Sequence, residues 1–323
     1  MKKAIVTGGY GFIGSAIVKN LLDKNFKVLN IDKLTYASNL NNISKSSNNF
    51  KNHIFLKKDI ADIKIEKKII NFNPDFLINA AAETHVDSSI KNPNPFIETN
   101  ILGTFNLIKI AKKIKNKKFK FIQVSTDEVF GDLKKSKKKF NLSSSYNPSS
   151  PYSASKASAD LILKSWFRTF DLRGCITISS NNYGPNQDFE KLIPKIIKKC
   201  MLNQKIPIYN KGKEKRNWLY VEDNAEAIVR VAIRGKNKKS YLIGSNECFE
   251  NIYVAKLICR IFDKIKPKSK NYENNIIFVK DRLGHDIKYD IDNSVVCKEL
   301  KWKCKNKFKY NIIKTINYYL NKK

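Results

Sequence analysis

Apolar and polar positions fall into alternating blocks along the first half of the chain, and the blocks predict strands followed by amphipathic helices. Short apolar runs stand at residues 3–7, 27–32, 53–58, 76–81, 119–126 and 175–179. Between them apolar residues recur at helical spacing near 12–23, 96–115 and 150–170. Repeated strand–helix–strand units build a parallel sheet covered on both faces, so the predicted class is α/β, a Rossmann-like doubly wound parallel sheet. After Asn181 the texture changes. A loop at 183–187 precedes a helix near 190–203 and a short strand at 206–210. The chain is then predicted to return to the sheet at 218–221, to enter a helix N-capped by Asp223, and to form a strand at 241–244. A strand at 276–280 and helices near 251–263 and 308–320 complete a smaller α/β cap. Two interleaved domains are expected, one of residues 1–180 with about 218–248, the other of about 181–217 with 249–323. No internal repeat is visible, and only residues 134–150 are low in complexity and loop-like.

With 323 residues the chain can bury a full core. It lacks an apolar run of the roughly 18 residues that a membrane span needs, and Met1-Lys-Lys leads straight into Ala4-Ile-Val6, so no membrane association, no signal peptide and a cytoplasmic location are expected. Its six cysteines form no Cys-x-x-Cys or zinc-spaced cluster, so no metal is expected. The net charge of +33 invites a nucleic-acid reading. Only seven of the 62 basic residues are arginines, however, and the lysines are dispersed among many Asn and Ile. Base and phosphate forks favour Arg for its planar bidentate geometry, so the charge reads as solvated surface and no nucleic-acid partner is expected. A positive field would still hasten capture of a diphosphate-bearing ligand.

Chemistry enters with Gly8-x-x-Gly11-x-x-Gly14, which follows the first strand and opens the first helix. Glycines there admit a pyrophosphate close to the backbone, and the helix N-terminus supplies N–H donors. Asp32 ends the second strand, where a carboxylate accepts from ribose hydroxyls and repels a 2′-phosphate, so the cofactor reads as NAD. Asp59, after the third strand, either accepts from an adenine amino group with Ile60 on the ring, or caps a helix. The small residues Ala80, Ala81 and Ala82 suit either a dinucleotide against the sheet edge or a packed helix. Tyr152 and Lys156 lie one helical turn apart behind Pro151, on one face, where an ammonium and an oxidised nicotinamide would lower the phenol toward working pH. Tyr152 could then take a proton from a sugar hydroxyl as hydride leaves.

In Val124-Ser-Thr-Asp-Glu-Val-Phe-Gly131, the adjacent Asp127 and Glu128 could simply cap the next turn. Two carboxyls in one cleft would instead have their pKa values pushed apart, giving one acid and one base. An acid and a base beside a hydride-transfer pair imply elimination coupled to oxidation. His53, His85 and His285 sit in no nucleophile or metal pattern.

Together these motifs resemble the extended short-chain dehydrogenase/reductases, and specifically the dTDP-glucose 4,6-dehydratases. The likeness runs almost end to end, through Ala81-Ala-Glu-Thr-His-Val-Asp87, Ser150-Pro-Tyr-Ser-Ala-Ser-Lys156, Ser180-Asn-Asn-Tyr-Gly-Pro185, Glu190-Lys-Leu-Ile-Pro194, Arg216-Asn-Trp-Leu-Tyr-Val-Glu-Asp223 and Asp281-Arg-Leu-Gly-His-Asp286. The Thr-Asp-Glu triplet is the specific part, since related epimerases and decarboxylases lack adjacent Asp and Glu there. The resemblance implies an NAD-dependent hydro-lyase acting on dTDP-glucose, with a nucleotide-sugar-binding cap and a homodimer formed through the helices near 96–115 and 150–170. Phe105, Ile108, Leu161 and Phe167 are the apolar positions expected to serve that interface. As implied catalytic roles, Tyr152 with Lys156 acts at C4, Thr126 holds the C4 oxygen, Glu128 takes the C5 proton and Asp127 protonates the departing C6 hydroxyl. Implied cofactor contacts are Gly8, Gly11, Phe12, Ile13, Gly14, Asp32, Lys33, Leu34, Thr35, Asp59, Ile60, Ala80, Ala81, Ala82, Thr99, Tyr152, Lys156 and Asn182. Implied substrate contacts are Thr84, Thr126, Asn181, Lys191, Leu192, Pro207, Ile208, Tyr209, Arg216, Asn251, Arg282 and His285. The short lysine-rich stretch at 134–150, Leu283 and Ser180 depart from the family's usual residues. Alternatives are a UDP-glucose 4,6-dehydratase or a 4-epimerase on the same fold, and a non-catalytic NAD sensor.

Overall fold

Seven strands carry the molecule: β1 (Lys3–Thr7), β2 (Lys27–Asp32), β3 (His53–Lys57), β4 (Phe76–Asn79), β5 (Lys120–Thr126), β6 (Gly174–Ser179) and β7 (Lys239–Ile243). In this computed structural model, which describes residues 1–43, 49–134, 136–281 and 283–321, they form one parallel sheet in the order β7-β6-β5-β4-β1-β2-β3. The sheet is buried on both faces because its strands are apolar at successive positions. Ala4 and Val6 enter one core and Ile5 the other, as do Phe76 and Ile78 against Leu77. On the first face the helix Phe12–Asp23 packs Ile17, Val18, Leu21 and Leu22 beside Ala225, Ile228, Val229 and Ala232 of the helix Val221–Arg234. The helices Thr104–Lys112 and Pro151–Thr169 cover the second. Strand order reverses between β1 and β4, which opens a crevice at the carboxyl ends of the strands.

The cap has its own apolar cluster, built on the helices Leu192–Met201, Asn251–Ile265 and Phe308–Asn321. The strand Lys215–Tyr220 runs through it, paired with Asn181–Tyr183, Cys248–Glu250 and Lys288–Tyr289. That pairing corrects the expected return to the sheet at 218–221, which is made by β7 instead. The strand has two apolar faces: Trp218 and Tyr220 belong to the cap cluster while Leu219 belongs to the first core. Its pattern therefore cannot say which sheet it joins. Asp223 is also not the N-cap. The helix starts at Val221 after Tyr220, and Asp223 lies in its first turn. From the expected cap region, Val296, Leu300 and Trp302 pack into the first core.

Two further differences bear on the site and its surroundings. The predicted helix near 96–115 is interrupted, with Ile97–Gly103 wound as a π-helix before Thr104 resumes α geometry. Such bulges recur at functional sites because they rotate side chains out of α register. Ile108 and Phe167 are buried in the chain's own core, whereas Leu161, Ile97, Leu102 and Phe170 are exposed. Residues 136–150 are irregular but tied down: the Phe140 N–H donates to the Asp290 carbonyl at 2.9 Å, and the Asp292 N–H donates to the Phe140 carbonyl at 2.8 Å. Among the described residues no helix is long and apolar enough to cross a membrane.

Candidate active site

The crevice is floored by the turn after β1. Gly8 has φ +67°, and a Cβ on it would lie 2.7 Å from the Ala81 Cα; one on Gly14 would lie 2.0 Å from the Gly8 carbonyl oxygen. Side chains are excluded on both counts, which leaves a backbone cradle. The helix at Phe12 has no side-chain cap, so its first N–H groups face the cradle as anion donors. Asp32 is buried and fixed at the end of β2, where it accepts from the Tyr10 N–H (2.9 Å), the Leu34 N–H (2.8 Å) and the Ser38 hydroxyl (2.9 Å). A fixed carboxylate and a cradle that a Cβ would fill are what a dinucleotide's ribose and pyrophosphate require, so the residues fit the cofactor.

Beside them Lys33 reaches Thr99 Oγ1 at 3.1 Å, Asp59 at 3.4 Å and Glu83 at 3.8 Å. Asp59 also accepts from the Ala61 N–H, closing a turn, and the capping role falls to Asp62, which accepts from the Lys64 N–H. The Ala81 N–H donates to the Thr7 hydroxyl, which itself donates to Asn79 Oδ1 at 2.6 Å, and this ties β1 to the end of β4.

At the other end of the crevice stands the helix Pro151–Thr169. Ser150 caps it reciprocally with Ser153, and Pro151 fits the first turn, where its missing N–H is not needed. Tyr152 and Lys156 project inward one turn apart. Lys156 is buried, and its ammonium donates to the Val124 carbonyl at 2.7 Å. Burial lowers its pKa to about 8, against the raising charge of Asp160. Burial also raises the Tyr152 phenol well above its ordinary value; the Glu128 charge adds to this, and the neighbouring Thr126 hydroxyl works the other way. The expected lowering of the phenol is therefore not a property of the protein alone.

Thr126 ends β5, and its hydroxyl accepts from the Glu128 N–H at 3.4 Å. Glu128 lines the crevice. Asp127 does not, and its carboxyl is fully buried. Desolvation first, then the Glu128 charge, holds Asp127 well above the usual carboxylate range, while Arg216 opposes both. That direction favours the protonated form, which a general acid requires.

The crevice gathers most of the sequence-predicted residues, including Thr35, Ile60, Ala80, Ala82, Thr84, Asn181, Asn182 and Lys191. Others lie elsewhere. Ile208 is buried in the cap core, while Leu34 and Leu192 are half-buried, packed against the first core and the cap core respectively, and none of the three lines the crevice. Pro207 and Tyr209 flank Ile208 on the strand Ile206–Tyr209, outside the crevice. Arg216 is buried and stacks over Tyr289, and three of its five N–H donors go to the carbonyls of Lys215, Asp286 and Ile287. Asn251 donates to Glu214, and His285 pairs with Asp281 at 2.6 Å, with Tyr209's ring against the imidazole. Glu214, Asp281 and His285 bring ligand-type atoms within 4.8 Å of one another, a grouping that their spacing in sequence did not reveal. Arg282 lies outside the described residues. The crevice adds Ser125, Ser180, Glu83, Gln187 and Asp188; Ser125, Glu83 and Ser180 stand inside the recognised motifs, whereas Asp188 carried no readable signal.

Known proteins share this layout. The family model for GDP-mannose 4,6 dehydratase matches residues 5–315. A dTDP-glucose 4,6-dehydratase of Escherichia coli is 43% identical, over 99% of this chain and 94% of its own length. The chain belongs to the dTDP-glucose 4,6-dehydratases. Two solved members of that family, both crystallised with NAD, superimpose closely on this dehydratase. The Bacillus anthracis structure has a TM-score of 0.88 at 36% identity, covering 99% of this chain and 97% of its own. The Streptomyces venezuelae structure has a TM-score of 0.90 at 32% identity, with 98% and 97% coverage.

Proposed function

We propose that the chain converts dTDP-glucose to the 4-keto-6-deoxy sugar nucleotide, losing water between C5 and C6. One observation carries the reading: Thr126, Glu128, Tyr152 and Lys156 line the same part of the crevice, with the buried Asp127 directly between Thr126 and Glu128, so a base and the hydride-transfer tyrosine face the ligand with an acid beside them. Bound NAD supplies the acceptor and later the donor of hydride. Tyr152 removes the proton from the C4 hydroxyl while Thr126 holds that oxygen, and the C4 ketone then acidifies C5–H. Glu128 takes the C5 proton, Asp127 delivers its own to the leaving C6 hydroxyl, and Glu128 finally returns a proton to C5. Lys156 supports Tyr152 from one turn away. Asp32 and the turn at Gly8–Gly14 hold the dinucleotide, and the cap receives the nucleotide. Incubation with dTDP-glucose in D₂O should yield a product with a C6 methyl group and deuterium at C5, and UDP-glucose should react more slowly. An unlabelled C5 or a 4-epimer would refute the assignment.

The exposed apolar side chains Ile97, Leu102 and Leu161 lie on the two helices expected at an interface, and support a homodimer. Light scattering at micromolar concentration should give twice the chain mass, and Leu161→Glu should shift the protein toward monomer.

A further inference from the structure

One buried charge has no part in these steps. Asp160 lies one helical turn beyond Lys156, is wholly inaccessible, and accepts from the Ser125 hydroxyl at 2.6 Å and the Tyr146 hydroxyl at 3.2 Å. Its other oxygen, Oδ1, is buried without a hydrogen-bond partner. Three consecutive residues of β5 thus engage three helix residues spaced by four: Thr126 meets Tyr152, Val124 meets Lys156 and Ser125 meets Asp160. The Lys156 ammonium is itself buried and has among the described residues only a neutral carbonyl as acceptor. An ammonium held that way sheds its proton unless a negative charge is close. The other groups around the cluster cannot supply one: Tyr146 is a neutral phenol, Lys164 is a second cation over the Tyr146 ring, and Asp127 and Glu128 lie toward Tyr152.

We propose that Asp160 is a positioning residue for the reaction: its buried carboxylate is the counter-charge that keeps Lys156 an ammonium, and its bond to Ser125 locks the end of β5 onto the catalytic helix. Burial raises the Asp160 carboxyl to about 6 and lowers Lys156 to about 8, so both are charged between those values. The inference rests on the dehydratase reading only where activity is the readout. Asp160→Asn keeps the shape and removes the charge. It should lower kcat about tenfold or more with KM for dTDP-glucose changed less than about threefold. The descending limb of kcat against pH, where Lys156 loses its proton, should move down by about one pH unit or more. Tyr146→Phe removes a hydrogen bond but no charge, and should leave that limb in place. A limb unmoved in Asp160→Asn, or moved equally in Tyr146→Phe, overturns the proposal. Thermal melting tests it without turnover: Lys156→Met strands the Asp160 charge, so Lys156→Met/Asp160→Asn should melt higher than Lys156→Met alone. Equal or lower melting of the double variant overturns the proposal even if Asp160→Asn alone fails to fold. A protein that does not act on dTDP-glucose would sink the functional reading and leave this comparison standing.

Discussion

Glu128→Gln and Asp127→Asn are expected to reduce NAD with dTDP-glucose while making almost no 6-deoxy product. Oxidation at C4 needs Tyr152, Lys156 and Thr126, which both changes leave in place; Asp127→Asn keeps an oxygen that can accept from the Thr126 hydroxyl, 3.5 Å away in the parent. Elimination needs a base at C5 and a proton for the C6 oxygen. Asp127→Asn replaces a buried carboxyl, whose pKa desolvation and Glu128's charge raise well above the ordinary range, with an amide that cannot give up its proton. Glu128→Gln removes the base that faces the crevice while leaving the backbone N–H that donates to Thr126. Loss of general acid–base catalysis costs about 10²–10⁴ in rate, or about 3–5 kcal/mol of barrier, so 6-deoxy product should fall by at least that factor. Absorbance of reduced cofactor and product formation, followed together in single turnovers, check this. Product at the parent rate would remove both residues from the elimination.

Tyr152→Phe is expected to suppress the first hydride transfer itself by about 10²–10⁴, and the elimination with it. The substitution is a clean probe because the ring is what the fold uses: it packs beside Val86 and against Phe96 at 6.3 Å, and phenylalanine keeps that packing. NAD affinity and melting temperature should therefore stay near the parent values while reduced cofactor ceases to accumulate. Reduction at the parent rate would mean that another group takes the C4 proton.

Patterns that depend on neighbours in sequence were readable, and patterns that depend on neighbours across the fold were not. The strands of the main sheet show as apolar runs because both faces are covered, and the glycines declare themselves through a turn that tolerates no Cβ. The strand at 218 was misplaced because Leu219 points to one core while Trp218 and Tyr220 point to another, and a linear pattern carries no label for which core. Arg216 illustrates the same limit: an arginine's fork suits a pyrophosphate, and only the fold shows that three of its donors also go to backbone carbonyls. Ile208 took its place in the expected site from the resemblance, and strand alternation turns its side chain into the cap. Asp160 was overlooked although its spacing from Lys156 is a plain helical turn, because a single acidic residue on a helix usually faces water.

The strand Lys215–Tyr220 makes the boundary between the two halves a shared wall. Each face of it is sealed by a different core, so neither half could be cut away without baring greasy surface on the other. The cap is therefore no interchangeable module. A lineage that changed its sugar nucleotide by borrowing another enzyme's cap would have to rebuild the wall as well, whereas altering a few side chains around the crevice leaves the wall intact. Diversification of such a scaffold is confined to point changes and loop lengths, with its two halves inherited together.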